Sequence, residues 1–234
     1  MIQESVLRRN LSYLSWSYSS RDWKVYNGKT ISASEENEMK IKDIIKKMLC
    51  PIQCIRFHIK DREGNIYIGK ACKIVNGYRM HFGNNVSIMP YSMLVCHNDG
   101  SIKIGEGSEI GMFSRIASLA EVTIGKNVLS GPHIFIADYN HEYKDVLRPI
   151  KYQGNMIKTS EKFDRGGVII GDDTWIGTNV VIAGTIEIGK HCVIGANSVV
   201  THDVPDFCVA AGNPAKIIKK YNSKNQEWYR VSEL

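Results

Sequence analysis

No two cysteines stand in a CxxC spacing, no run approaches the roughly 20 consecutive apolar residues of a membrane-spanning helix, and no basic cluster is interleaved with aromatics. These absences exclude a zinc ribbon, a bitopic membrane protein and a base-stacking nucleic-acid surface. Cys50, Cys54, Cys72, Cys96, Cys192 and Cys208 are scattered, so they read as reduced packing residues and not as a disulfide framework. The segment MIQESVLRRN lacks the apolar stretch of a secretory signal, which makes the cytoplasm the expected compartment. Low-complexity tracts are missing too. What remains is a chain of 234 residues, 43% hydrophobic and 23% charged, with a formal charge of +6. Such a chain can bury a sizeable core, and its modest positive charge suits an anionic small ligand without demanding one.

A short internal period dominates the C-terminal half. An aliphatic residue recurs every six positions at Ile170, Ile176, Ile182, Ile188, Ile194 and Val200, and a small residue follows each: Gly171, Gly177, Ala183, Gly189, Gly195 and Thr201. A less regular version runs through Phe82, Ile88 and Leu94, then Ile104, Ile110 and Ile116, then Ile124, Ser130 and Ile136. Six matches neither the 3.6 of a helix nor the 2 of a lone strand. It fits a coil of flat sides and sharp corners, three hexads to a triangular turn, with the aliphatic residue inside. The small residue lets the chain bend at a corner or lets successive coils approach closely. Stacked coils pair their short strands in parallel. An ordinary α/β chain with glycine-rich turns does not explain six consecutive matches at two positions.

The period fails between Ile136 and Ile170, where a polar segment with Pro149 and Gly154 reads as a loop thrown out of the prism, over 139–168. Residues 1–65 carry no hexads. There Ser34 followed by Glu35 and Glu36 signals a helix start, Ile41, Ile44, Ile45 and Met48 share one helical face, and Pro51 marks its end. This N-terminal α/β segment is expected to cap the first coil, residues 66–215 to form the prism, and the tail 216–234, helical or extended, to cover the last coil.

The run IIGDDTWIGTNVVIAGTIEIGKHCVIGANSVVTHDVPDFCVAAGNPAKIIKK resembles the C-terminal signature of hexapeptide-repeat acyltransferases, the left-handed parallel β-helix enzymes that include galactoside, maltose and xenobiotic O-acetyltransferases. The likeness spans about residues 82–220 and leaves the N-terminal third uncovered. It implies a mainly β fold, a homotrimer with active sites in clefts between neighbouring prisms, acetyl-CoA as acyl donor, and no metal. The family's catalytic histidine sits where a loop leaves the coil, and IADYNHEY puts His141 there. A neutral imidazole, with an ordinary pKa of about 6.5, can take a hydroxyl proton as the oxygen attacks a thioester. Asp138 and Asn140 are placed to orient the imidazole or bind the acceptor, or serve as turn formers. Trp175 matches a tryptophan lining the acceptor pocket of sugar-acetylating relatives. By the same likeness Thr178 and Ala196 meet the pantetheine arm, Thr201 and His202 lie further along that groove, and Lys216 and Lys219 stand near the nucleotide phosphates. One departure concerns the acceptor: relatives carry an Asn on the coil before the catalytic one, where this chain reads GMFSRIASLAE, leaving Ser114 as the substitute hydrogen-bond donor.

The leading expectation is therefore O-acetylation of a sugar hydroxyl, in a surface polysaccharide or its precursor. An antibiotic, an amino acid or an amino sugar is the alternative acceptor. A metal hydratase on the same architecture would need convergent ligands from His81, His97, His133, His141 and His191, while the GNPAK and NHEY motifs favour transfer. A non-catalytic structural trimer is the remaining alternative.

Overall fold

The computed structural model describes residues 23–26, 29–159, 164 and 166–231. The chain divides into two units, Met1–Ile45 and Lys46–Leu234. In the first, Trp23–Tyr26 and Lys29–Ser32 form an antiparallel hairpin. A helix, Ala33–Phe57, continues from it into the second unit.

The second unit is a parallel β-solenoid with three faces. Face one stacks Asp61–Arg62, Met80–Phe82, Ser101–Ile104, Glu121–Ile124, Val168–Ile170 and Ile186–Ile188. Face two stacks Tyr67–Ile68, Ser87–Ile88, Glu109–Ile110, Leu129–Ser130, Trp175–Ile176, Val193–Ile194 and Cys208–Ala211. Face three stacks Lys73–Val75, Met93–Cys96, Arg115–Ser118, Phe135–Ala137, Val181–Ala183 and Val199–Val200. Six coils are complete and a seventh begins at Val204, which bridges to Ile188. Every aliphatic hexad position from Phe82 to Val200 is buried, in one continuous core that also takes in Cys192 and Cys208.

The glycines that follow aliphatic positions serve close approach, not bending. A Cβ on Gly171 would stand 2.5 Å from the Lys190 nitrogen, and one on Gly177 2.6 Å from the Ala196 nitrogen. The bends are made by non-glycine residues with left-handed backbones, such as Asn127 (φ 53), Asp173 (φ 58) and His191 (φ 51). That conformation costs an L-residue about 1–2 kcal/mol. It recurs here because each corner N–H finds a carbonyl one coil below: Asp173 donates to Lys126 and His191 to Asp172, at 2.8 and 2.9 Å. At the corner between faces two and three the rings of Tyr91, Phe113 and His133 stack with centroids 4.9 and 5.1 Å apart, which adds packing to the same ladder.

One expectation about the ends needs correction, and one alternative is decided. Pro51 does not end the helix, which runs on to Phe57. A helix-interior proline costs about 3 kcal/mol, and tertiary packing offsets it: Cys50 and Cys54 are buried against the first coil. Gln53 lies between them and acts as a surrogate strand. Its side-chain amide donates to the Ile68 carbonyl and accepts from the Ile68 N–H, closing the open edge of the first coil. The tail takes the extended alternative. Lys216–Asn222 folds back antiparallel on Cys208–Ala211, and Glu227–Arg230 pairs with it in turn, extending face two to nine strands.

Candidate active site

The loop leaves at the corner that joins face three to face one, immediately after Phe135–Ala137. Asp138 holds that exit. It is fully buried, and its carboxylate accepts from Ser118 Oγ (2.7 Å), the Leu119 N–H (2.8 Å) and the Ala120 N–H (2.9 Å) of the coil below. Both oxygens are therefore engaged by the corner, the arrangement of the turn-forming alternative for Asp138. Tyr139 follows, its ring edge-on to His97 at 5.7 Å. The chain then opens into a two-stranded ribbon, Asn140–His141 paired antiparallel with Asn155–Met156. His141 and Asn140 are both exposed on it.

The segment from Glu142 to Gln153 is braced from within. Gln153 Nε2 donates to the Asp145 and Arg148 carbonyls at 2.8 and 2.7 Å, and Gln153 Oε1 accepts from the Asp145 N–H at 3.1 Å. Arg148 donates to the Tyr152 carbonyl at 2.7 Å. Glu142 accepts from the N–H groups of Tyr143 and Lys144, and the bond from Lys144 above all holds its carboxyl below the usual range. The ribbon that carries His141 thus starts on a buried anchor and ends on an internally bonded tip. Gln153 escaped sequence reading because nothing local distinguishes a bracing amide from a solvated one.

The expected cofactor residues divide between two corners. Thr178 and Ala196 stack at the corner between faces two and three, where the Asn197 N–H donates to the Thr178 carbonyl at 2.8 Å. The GNPAK turn is seated on the same corner: the Gly212 N–H donates to Ser198 Oγ (3.1 Å), Val199 N–H to the Gly212 carbonyl (3.0 Å) and Ala215 N–H to the Val199 carbonyl (2.8 Å). Lys216 emerges beside it. Strand alternation alone would put Lys216 and Lys219 on opposite sides, yet a bulge at Ile218 leaves them opposite Ala211 and Val209, on one side of the ribbon. Arg230 pairs with Lys219 and joins that side, a cation the sequence pattern did not single out. Thr201 and His202 are exposed at the next corner, across face three, with Thr201 Oγ1 2.9 Å from His202 Nδ1. They do not continue the groove of Thr178 and Ala196.

Ser114 also needs correction. It is buried, its Oγ accepts from the Ile134 N–H at 3.3 Å, and its own N–H donates to Ser92 Oγ. It belongs to a series of interior hydroxyls with Ser92, Ser108, Thr174 and Ser198 that satisfy corner backbone groups. Trp175 is 54% exposed on the outside of face two. In a three-sided prism that face lies opposite the corner from which His141 departs, so one copy of the chain cannot bring the two side chains together.

The five histidines that a metal hydratase would have to bring together are dispersed. His81 pairs with Asp61 at 2.9 Å on face one, His97 meets Tyr139, His133 stacks on Phe113, and His191 stacks on Phe207. Among the described residues no three His, Cys, Asp or Glu side chains converge as a metal site would require. No described helix is long and apolar enough to cross a membrane.

Comparison with known proteins agrees with this geometry. The family described as bacterial transferase hexapeptide (six repeats) matches residues 167–202. The Escherichia coli (strain K12) protein WbbJ, named as a putative O-acetyl transferase of lipopolysaccharide biosynthesis, is 37% identical over 161 residues, covering 68% of this chain and 81% of WbbJ. Galactoside O-acetyltransferase from Escherichia coli (strain K12) is 37% identical over 108 residues, 46% of this chain, and the match spans only 48% of that enzyme. Among solved structures, a point mutant of the N-acyltransferase AntD from Bacillus cereus, with dTDP and coenzyme A, superposes with a TM-score of 0.62 at 20% identity, covering 74% of this chain and 89% of that one. That last likeness is one of fold.

Proposed function

The chain belongs to the hexapeptide-repeat acetyltransferases, and on that premise we propose that it transfers an acetyl group from acetyl-CoA to a sugar hydroxyl, with His141 as general base. The observation that carries this reading is the presentation of His141: exposed on a short ribbon, three residues beyond the buried Asp138 anchor, at the coil where the solenoid is interrupted. A neutral imidazole nitrogen there accepts the acceptor's hydroxyl proton while the oxygen attacks the thioester carbonyl. The tetrahedral intermediate collapses with loss of the CoA sulfur, and the imidazolium returns the proton to that sulfur. No enzyme acyl intermediate is required. Asn140, exposed next to His141, supplies a hydrogen-bonding amide for the acceptor.

The donor lies along the corner of Thr178 and Ala196, its phosphates against Lys216, Lys219 and Arg230. That one side of the terminal ribbon gathers three cations suits a polyanionic ligand. His141 and Trp175 occupy opposite sides of the prism, which supports a homotrimer whose sites are shared between neighbouring copies, Trp175 of one copy facing the acceptor held by His141 of another. A saccharide destined for a surface polysaccharide is the acceptor class supported by the 37% likeness to WbbJ. The cytoplasm, where acetyl-CoA is at hand, is the compartment that fits this reading.

The test is release of free CoA thiol from acetyl-CoA over a panel of sugars, glycans, amino sugars and hydroxyl-bearing antibiotics. Sugar-dependent release that drops about a hundredfold or more in His141→Ala is the expected result. Release driven only by amino sugars or antibiotics would move the acceptor class, and no release together with no thermal stabilisation by acetyl-CoA would sink the reading.

A further inference from the structure

The corner from which His141 departs changes size from coil to coil. Between a face-three strand and the face-one strand that follows it, the first two coils use four residues, 76–79 and 97–100, whereas the third uses two, 119–120. After the fourth coil the His141 loop leaves at the same corner. The corners are in direct register: Asn76 Nδ2 donates to the Cys96 carbonyl at 2.8 Å, the His97 N–H to the Ser118 carbonyl at 2.7 Å, and Ser118 Oγ to Asp138. The third coil is therefore recessed between two longer corners below it and the base of the ribbon above it. With coils about 4.8 Å apart, this line runs roughly 14 Å from Asp138 down to the first corner.

The side chains along the line suit a saccharide. Tyr139, two residues before His141, reaches across the recessed coil and meets His97 edge-on, with ring centroids 5.7 Å apart. One corner further down, Arg79 pairs with Asp99 at 3.1 Å, and its guanidinium carbon lies 5.7 Å from the ring centroid of Tyr78, which is 54% exposed. Aromatic rings beside clustered donors and acceptors match a pyranose, whose C–H face packs on a ring while its hydroxyls seek hydrogen bonds. Among the described residues, the buried side-chain nitrogens and oxygens without a hydrogen-bond partner are Arg79 Nε and His97 Nε2. Both belong to this one corner. Such orphaned atoms are rare in folded proteins and call for a partner. A sugar hydroxyl, donor and acceptor at once, satisfies either nitrogen when the partly exposed side chain that carries it rotates about its outer bonds. Asp99 already balances Arg79, so the pair presents hydrogen bonds without net charge.

We infer that this corner is a subsite for a neutral oligosaccharide acceptor. The unit being acetylated lies at His141, the second unit on Tyr139 and His97, and the third on Asp99, Arg79 and Tyr78. The inference rests on the acceptor being a sugar, and it makes that acceptor a chain of at least three units in place of a monosaccharide.

The experiment compares mono-, di- and trisaccharides from several neutral hexose and N-acetylhexosamine series on the full-length protein, by calorimetric titration without acetyl-CoA and by release of CoA thiol with it. Affinity and kcat/KM are expected to rise with each added unit in at least one series. Each contact corresponds to about tenfold: His97→Ala should remove the gain from mono- to disaccharide, and Tyr78→Ala only the gain from di- to trisaccharide. Tyr78 and Asp99 are exposed, so Tyr78→Ala and Asp99→Ala keep the test open if a thermal melt shows that His97→Ala is unfolded. Length-dependent binding without acetylation of any saccharide would end the sugar-acetylation reading and leave the subsite standing. Equal affinity and equal kcat/KM at all three lengths, or a length dependence untouched by both Tyr78→Ala and Asp99→Ala, would overturn the subsite whether or not sugars are acetylated.

Discussion

Replacing Asp138 separates a structural anchor from a substrate ligand. Its carboxylate accepts two backbone N–H groups and one hydroxyl while fully buried. Hydrogen bonds to an ionised group contribute about 1.5–3 kcal/mol each, and a buried donor left without a partner costs about 1–3 kcal/mol. Asp138→Ala strands all three donors, but water can enter the vacated volume and satisfy part of them, so a loss of about 3–5 kcal/mol is expected. Asp138→Asn retains one acceptor oxygen and turns an NH2 toward a donor, for about 1–3 kcal/mol. Ser118→Ala removes only the hydroxyl and should cost about 1 kcal/mol. In urea, with a slope of about 2–3 kcal/mol per molar, Asp138→Ala should lower the unfolding midpoint by roughly 1–2 M. In assays below the melting temperature, kcat should also fall, because the ribbon carrying His141 has lost its footing, while Ser118→Ala stays near wild type. A normal midpoint in Asp138→Ala with a raised acceptor KM would refute the structural assignment and return the carboxylate to the acceptor site.

Close approach of coils predicts that Gly177→Ala, whose Cβ meets backbone at 2.6 Å, destabilises by about 2 kcal/mol and lowers the melting temperature by roughly 4–8 °C; a melt within a degree of wild type would contradict the packing. Burial pushes the thiols of Cys54, Cys96 and Cys192 up to about 11. A raised folded-state value means full stability below the unfolded thiol's pKa of about 8.5 and progressive loss as pH climbs from there toward 11, so the melting temperature should decline across that window. At pH 8 the native protein should leave all six thiols unreacted with a colorimetric thiol reagent and should titrate six after denaturation; rapid labelling of the native form would place a cysteine outside the core.

The hexad period made the solenoid legible because every sixth side chain enters the same narrow interior, and a single aliphatic choice at each such position is visible without any three-dimensional information. The excursion was equally visible, since 139–168 drops the pattern, and with it the place of His141. Pro51 misled because local propensity speaks against a helix that Cys50, Gln53 and Cys54 hold from outside. Ser114 misled, and Asp138 stayed open between ligand and turn, for a related reason: a hydroxyl or carboxylate has the same one-letter symbol whether it points at ligand or at a corner amide, and that choice is made by a neighbouring coil, 20 residues away in sequence.

Residue order alone determined the repeat, the interruption, the likeness of the GNPAK run and the candidate base. Tertiary structure alone decided which side of the chain each feature serves. The bulge at Ile218 brings Lys216, Lys219 and Arg230 to one side of a ribbon; the three-sided prism sets Trp175 and His141 apart; and stacking, not bending, claims the glycines. The physical reason is the same in each case: periodicity records which residues face inward, whereas the register between coils and the identity of the facing corner arise only when backbone hydrogen bonds join segments distant along the chain.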